Sequence, residues 1–162
     1  MAEESVEAVV AQRERMMEGL RTFGGHFTEF SRVFARWLGL HATDANALLQ
    51  IIAAEERGVP LSPARLSKSL PLSSGATTAL LNRLEEAGHI IRTREHADRR
   101  IVTLRSSKYI HERADMFFRP LGERLDALIS TYPPRMLRTF EAFVGELSKA
   151  MEEELDRDDR NR

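Results

Sequence analysis

Apolar residues recur along residues 6–38 at Val6, Val9, Val10, Met16, Met17, Leu20, Phe23, Phe27, Phe30, Phe34 and Trp37, close to the spacing of one helical face. The segment reads as one long helix or two collinear ones. Gly24-Gly25 interrupts it, and a bend or break is expected there, because a glycine costs about 1 kcal/mol relative to alanine inside a helix. After Gly39-Leu40-His41, Thr43 or Asp44 is placed to cap a second helix over residues 44–56, with Ala47, Leu48, Ile51, Ile52 and Ala54 inward and Gly58 as its stop.

The stretch 61–108 organises the rest. Ser62-Pro63 starts a helix, since serine caps the end and proline occupies the first position, where its missing N–H costs nothing. That short helix turns Leu66 and Leu70 inward and Arg65 and Lys68 outward, and Pro71 ends it. Ser73 caps a further helix whose buried stripe is Leu80, Leu81, Leu84 and Ala87, before Gly88 terminates it. Two short helices joined by a tight turn have helix-turn-helix spacing. Residues 89–94 and 100–105 are rich in β-branched side chains and read as the strands of a hairpin, with Glu95-His96-Ala97-Asp98-Arg99 at its tip.

Beyond the hairpin, Ser106 or Ser107 caps a long helix carrying Ile110, Ala114, Phe117, Leu121, Leu125 and Leu128, with a kink expected near Phe117 because Pro120 lies inside the series. Tyr132-Pro133-Pro134 breaks the chain and Pro134 opens a last helix, striped by Leu137, Phe140, Phe143 or Val144, Leu147, Met151 and Leu155. Residues 156–162 form a charged tail, expected to fray. The fold class is therefore mainly α with a small β-hairpin: a winged helix-turn-helix flanked by long helices that form a dimerisation region. The organisation is an N-terminal dimerisation segment (1–42), a DNA-binding region (43–106), a C-terminal dimerisation segment (107–156) and the tail (157–162).

Charge sharpens this picture. The net formal charge is −1, yet residues 65–108 hold nine Lys/Arg against four acids, a local +5, while the first eighteen residues hold five Glu against two Arg. A basic centre between acidic ends directs attention to DNA. Zero cysteine excludes disulfides, thiolate catalysis, thiol redox sensing and zinc-finger chemistry. No run of eighteen apolar residues exists for a membrane span, and the acidic Met-Ala-Glu-Glu start is unlike a secretory leader, so a cytoplasmic protein without membrane contact is expected.

Double-stranded DNA is thus the expected partner, read by the helix that starts at Ser73. Its outward face offers Ser73, Ser74, Gly75, Thr78, Asn82 and Arg83 to the major groove, where Asn82 is suited to adenine and the small residues to close approach or thymine methyls. The other reading, that Thr77 and Thr78 are ordinary helix positions and Arg83 a surface ion-pair partner, stays open. Arg94, Arg99 and Arg100 suit the minor groove, with Asp98 holding an arginine in place, and Arg65 and Lys68 suit the DNA backbone.

In Leu66-Ser67-Lys68-Ser69-Leu70, in Leu80-Leu81-Asn82-Arg83-Leu84-Glu85-Glu86-Ala87-Gly88, and in the wing from Arg94 through Asp98-Arg99-Arg100 to Leu104, the chain resembles the MarR family of winged helix-turn-helix regulators. The resemblance covers most of the chain and is strongest over residues 62–105. It implies a homodimer joined through the first and last helices, a role in repression, and release from DNA by a small, often aromatic, ligand. Where the family often carries a polar or basic residue on the reading helix this chain has Gly75, Ala76 and Ala79, which shifts the weight of recognition to Ser74, Thr78 and the wing.

Catalysis has little support: no phosphate loop or nucleophile elbow follows a strand, and His111-Glu112 lacks the second histidine of a helical zinc protease site. No enzyme activity, cofactor or metal is expected. His26 and His41 bracket the aromatic end of the first segment, where with Phe30, Trp37 and Phe117 they either line a ligand pocket or pack as core or interface. The leading functional reading is a sequence-specific repressor binding an inverted-repeat operator as a homodimer. The alternative is a helical dimeric protein-interaction module without DNA binding.

Overall fold

The computed structural model of the chain describes residues 2–94 and 101–160. Its elements run α1 (Ala2–Leu38), α2 (Ala42–Glu56), α3 (Pro63–Ser69), α4 (Ser74–Glu86), β1 (Ile90–Thr93), β2 (Thr103–Ser106), α5 (Lys108–Ile129) and α6 (Pro134–Arg160). The chain divides into two units, one ending at Ala114 and the other beginning at Asp115.

In the first unit the caps follow the residue chemistry. Ser62 Oγ accepts from Arg65 N at 3.3 Å with Pro63 opening α3, and Ser73 Oγ accepts from Ala76 N at 3.2 Å at the start of α4. Between them Leu72 N donates to Leu70 O at 2.8 Å, closing the tight turn after Pro71. Gly58 and Gly88 adopt φ of 72° and 71°, and the N–H groups after them, of Val59 and His89, reach back to Ala54 O and Leu84 O. Only glycine enters this left-handed conformation without strain, so both helices end where the sequence predicts.

β1 and β2 pair antiparallel, Ile90 opposite Ser106 and Thr93 opposite Thr103. Both strands are shorter than expected, and Arg94, Ile101 and Val102 lie outside them. Leu61 O accepts from Leu104 N at 2.8 Å, so the extended link after α2 is tied to the hairpin edge. The core beneath is made by Leu48 and Ile51 of α2, Leu66 of α3, Leu80, Leu81 and Leu84 of α4, Ile90, Leu104 and Ile110, with Phe34 of α1. Ala87, expected in the buried stripe, is exposed, because α4 has ended before it.

Several boundaries differ from expectation. α1 runs through Gly24-Gly25 as one helix, with Thr28 and Ser31 hydroxyls donating to Gly24 O and Phe27 O; two glycines lower helix propensity without breaking a 37-residue helix. α2 begins at Ala42 with His41 as its cap residue, without a side-chain capping bond, so neither Thr43 nor Asp44 caps it. Ser107, not Ser106, caps α5, accepting from Ile110 N at 3.3 Å.

The second unit is helical. α5 continues through Pro120 as a single helix. Pro134 opens α6, whose Met136 and Leu137 N–H groups donate to Pro133 O. α6 extends to Arg160 where a frayed tail from residue 156 was expected. Along α6, Leu137, Phe143 and Leu147 are half-buried while Phe140, Val144, Met151 and Leu155 are exposed. The described helices include none long and apolar enough to cross a membrane.

Candidate nucleic-acid interface

α4 buries one side and presents another. Thr77, Leu80, Leu81 and Leu84 face the core, and the Thr77 hydroxyl donates to Ser73 O at 3.1 Å and accepts from Ser67 of α3 at 3.5 Å, joining the two helices. Ser73, Ser74, Gly75, Thr78, Asn82 and Arg83 are all exposed. Ser73 Oγ is engaged in capping, and Thr78 Oγ1 donates to Ser74 O at 2.9 Å, which leaves its methyl group and lone pairs outward. A Cβ built on Gly75 meets nothing within 4 Å, so at that position the helix offers bare backbone to whatever approaches.

Asn82 and Arg83 of α4 are each held by a residue that the sequence did not single out for this. Arg83 donates to Asp44 through Nη2 at 2.7 Å and Nε at 3.3 Å. The hydrogen bond to Asp44, with its charge, raises the guanidinium above its ordinary range. The ion-pair reading of Arg83 is therefore the arrangement in this structure. Asn82 Oδ1 accepts from Arg92 Nη2 at 2.8 Å, and Arg92 Nη1 pairs with Glu85 at 2.7 Å. One guanidinium on β1 thus grips two α4 residues three positions apart.

Space also redistributes the charge of the centre. Arg105 pairs with Glu55 of α2 at 3.4 Å, and Glu55 accepts in addition from Ser106 N and Oγ. Lys108 lies 3.8 Å from Glu112. Asp44, Glu55 and Glu112 lie outside the basic window in sequence, so three of its cations, Arg83, Arg105 and Lys108, meet acids from beyond it, while Arg92 pairs with Glu85 inside it. Arg65 and Lys68 on α3 and Arg94 at the end of β1 are exposed, and no acidic partner lies against them among the described residues. Asp98, Arg99 and Arg100 lie outside the described residues.

The residues expected around a ligand pocket fall into different settings. His26 is exposed and Phe30 half-buried on α1. Trp37 stacks on Phe34 at 6.3 Å between ring centroids and carries the Arg113 guanidinium 3.9 Å above its ring. His41 lines a cleft of about 430 Å³ with Thr43, Asp44, Leu72, Ala79 and Arg83, against α4. Phe117 is half-buried and packs edge-on against Phe118 at 5.0 Å.

Comparison with known proteins agrees with this geometry. The family model described as MarR family matches residues 38–101. The HTH-type transcriptional regulator YcgE of Bacillus subtilis is 36% identical over 141 residues, covering 85% of this chain and 86% of that protein. Among solved structures, the transcriptional regulator Tm0710 of Thermotoga maritima has a TM-score of 0.56 at 22% identity, covering 88% of this chain and 98% of that one. Staphylococcus aureus MepR in a DNA-binding conformation has a TM-score of 0.59 at 14% identity, covering 82% and 95%. With the helix-turn-helix, the hairpin and the flanking helices in place, the chain belongs to the MarR family of transcriptional regulators, DNA-binding proteins that are not enzymes.

Proposed function

We propose that the chain is a cytoplasmic repressor that binds an inverted-repeat operator as a homodimer, with α4 in the major groove, residues 94–100 at the minor groove, and Arg65 and Lys68 on the DNA backbone. The observation that carries the reading is the outward face of α4, where Ser74, Gly75, Thr78 and Asn82 are exposed with no bulky apolar side chain among them. A surface of this kind fits close to base edges, and a helix is the element that the major groove admits.

Dimerisation is supported by what one chain leaves uncovered: Val6, Phe23 and Phe27 of α1 and Phe140, Val144, Met151 and Leu155 of α6 are all exposed. Soluble monomers rarely keep long apolar stripes in water. Two reading helices related by a two-fold axis sit about 34 Å apart, one turn of DNA, which requires an inverted repeat. A dimer across a promoter blocks access to it, and this is the basis for repression. A small aromatic ligand that loosens DNA binding is proposed on the aromatic and cationic groups around Trp37.

The test is fluorescence anisotropy of the purified protein with DNA from upstream of its own gene, over a salt series, against a random duplex. Preference for the upstream DNA and a steep loss of affinity with salt are expected, because Lys and Arg displace counterions from phosphate. Arg99→Ala and Arg100→Ala are expected to weaken binding to both duplexes alike. Unchanged affinity in both variants would remove the wing from the interface.

A further inference from the structure

We infer that Arg92 is a specificity-determining positioning residue: by gripping Asn82 it turns that side chain from an adenine reader into a guanine reader. The inference rests on the reading of α4 as the helix in the major groove. Arg92 has no acceptor atom, so the atom of Asn82 that meets Arg92 Nη2 at 2.8 Å is its carbonyl oxygen, and the amide orientation follows from chemistry alone. The Nδ2 group is then the end left for an incoming base.

Adenine is read by an amide that accepts from N6–H2 while it donates to N7, whereas guanine presents two acceptors, N7 and O6. With a guanidinium already on Oδ1, a second donor approaching that oxygen meets a cation beside it. An acceptor edge meets Nδ2 and that same cation, and both favour it. Glu85 completes the arrangement. It takes Arg92 Nη1 at 2.7 Å, which leaves Nη2 aimed at Asn82 and fixes the planar head in a two-point grip. Arg92 is itself only part-exposed, with 28% of its side chain accessible, so it acts through Asn82 and is not placed as a base contact.

The experiment is selection of bound duplexes from a randomised library by full-length protein, followed by anisotropy on the selected duplex with single base changes. The wild type is expected to show guanine at one position of each half-site, and Asn82→Ala to flatten that position alone. Arg92→Ala is expected to shift it towards adenine, changing the guanine-to-adenine affinity ratio by about tenfold, the worth of one good base contact. Arg92→Lys, which still donates to Oδ1, should keep guanine. Asn82→Ala with Arg92→Ala should match Asn82→Ala.

Glu85→Ala leaves Arg92 in place but loosens it, and is expected to reduce the guanine preference by a smaller factor. It decides the matter if Arg92→Ala does not fold. The inference is overturned if Arg92→Ala and Glu85→Ala leave the base at the Asn82-dependent position unchanged, or if Arg92→Ala lowers affinity equally at every position. Failure of the underlying reading has a different signature: Ser74→Ala, Thr78→Ala and Asn82→Ala would all leave every position unchanged, and the inference would fall with it.

Discussion

Asp44, the third residue of α2, receives both Nη2 and Nε of Arg83 on α4, so α4, the proposed reading helix, is tied by a two-point ion pair to a helix that begins 32 residues before it. The partners differ in exposure: the Asp44 side chain is 6% accessible and that of Arg83 is 54% accessible. Removing Arg83 leaves a buried carboxylate without its cation, whereas removing Asp44 leaves an arginine already open to water. Arg83→Ala is therefore expected to lower Tm more than Asp44→Ala does. Thermal denaturation of the two variants and of the double variant checks this, and equal losses would mean that the buried carboxylate finds another partner.

Gly75 offers a prediction in which stability and binding move in opposite directions. It sits within α4 with no atom within 4 Å of an added Cβ. Gly75→Ala is expected to stabilise the free protein by about 0.5 kcal/mol through helix propensity. Against DNA the same methyl group intrudes on a close approach, and operator affinity is expected to fall by about 1 kcal/mol or more. Chemical denaturation and anisotropy on one preparation read both effects. A variant that gains stability and loses no affinity would place Gly75 away from the groove.

The exposed stripe of α6 is expected to be buried between two copies. Burying one large apolar side chain contributes about 1.5–3 kcal/mol, and a carboxylate in its place reverses that gain. Phe140→Glu and Val144→Glu are each expected to weaken the dimer by at least tenfold in sedimentation equilibrium, and to weaken operator binding in step. Both residues are exposed in the single chain, so the folded unit is expected to survive, with far-ultraviolet circular dichroism unchanged.

His89 gives the protein a pH dependence with a defined sign. Burial pushes its imidazole below the ordinary value of 6.5, and its Nδ1 is buried without a hydrogen-bond partner among the described residues. Above that ordinary value the side chain is neutral in both folded and unfolded chains. As pH falls below it the unfolded chain takes up the proton first, so stability is lost progressively towards the lower folded value. Denaturant midpoints are expected to fall as pH drops below the ordinary imidazole value of 6.5, and His89→Leu is expected to flatten that part of the profile. An unchanged slope would assign the acid sensitivity to other groups.

The secondary structure was legible because its signals are local. Ser62-Pro63 and Ser73 announce helix starts, Gly58 and Gly88 announce ends, and a period of three to four residues marks each buried stripe. Boundaries that depend on packing were less so. Gly24-Gly25 did not divide α1, because a pair of glycines weakens a helix without forbidding it. His41, not Thr43 or Asp44, stands at the start of α2. A capping side chain and a buried ion-pair partner are the same residue type in a sequence, and the fold gave Asp44 the second role.

By itself the sequence determined the order of helices and strands, the family, and the identity of the helix whose outward face is small and polar. Periodicity, caps and motif spacing act over a few residues, so they can be read along the chain. The tertiary structure decided which of those polar groups are engaged. Asp44 meets Arg83 across 39 positions and Glu55 meets Ser106 across 51, and Arg92 reaches back to Asn82 only once β1 has folded against α4. An ion pair needs two side chains within a few ångströms, and nothing local in the sequence brings such distant residues together. Only the packing of α2, α4 and the hairpin does so, and it is this packing that divides the basic centre into cations already paired within the protein and those left facing outward.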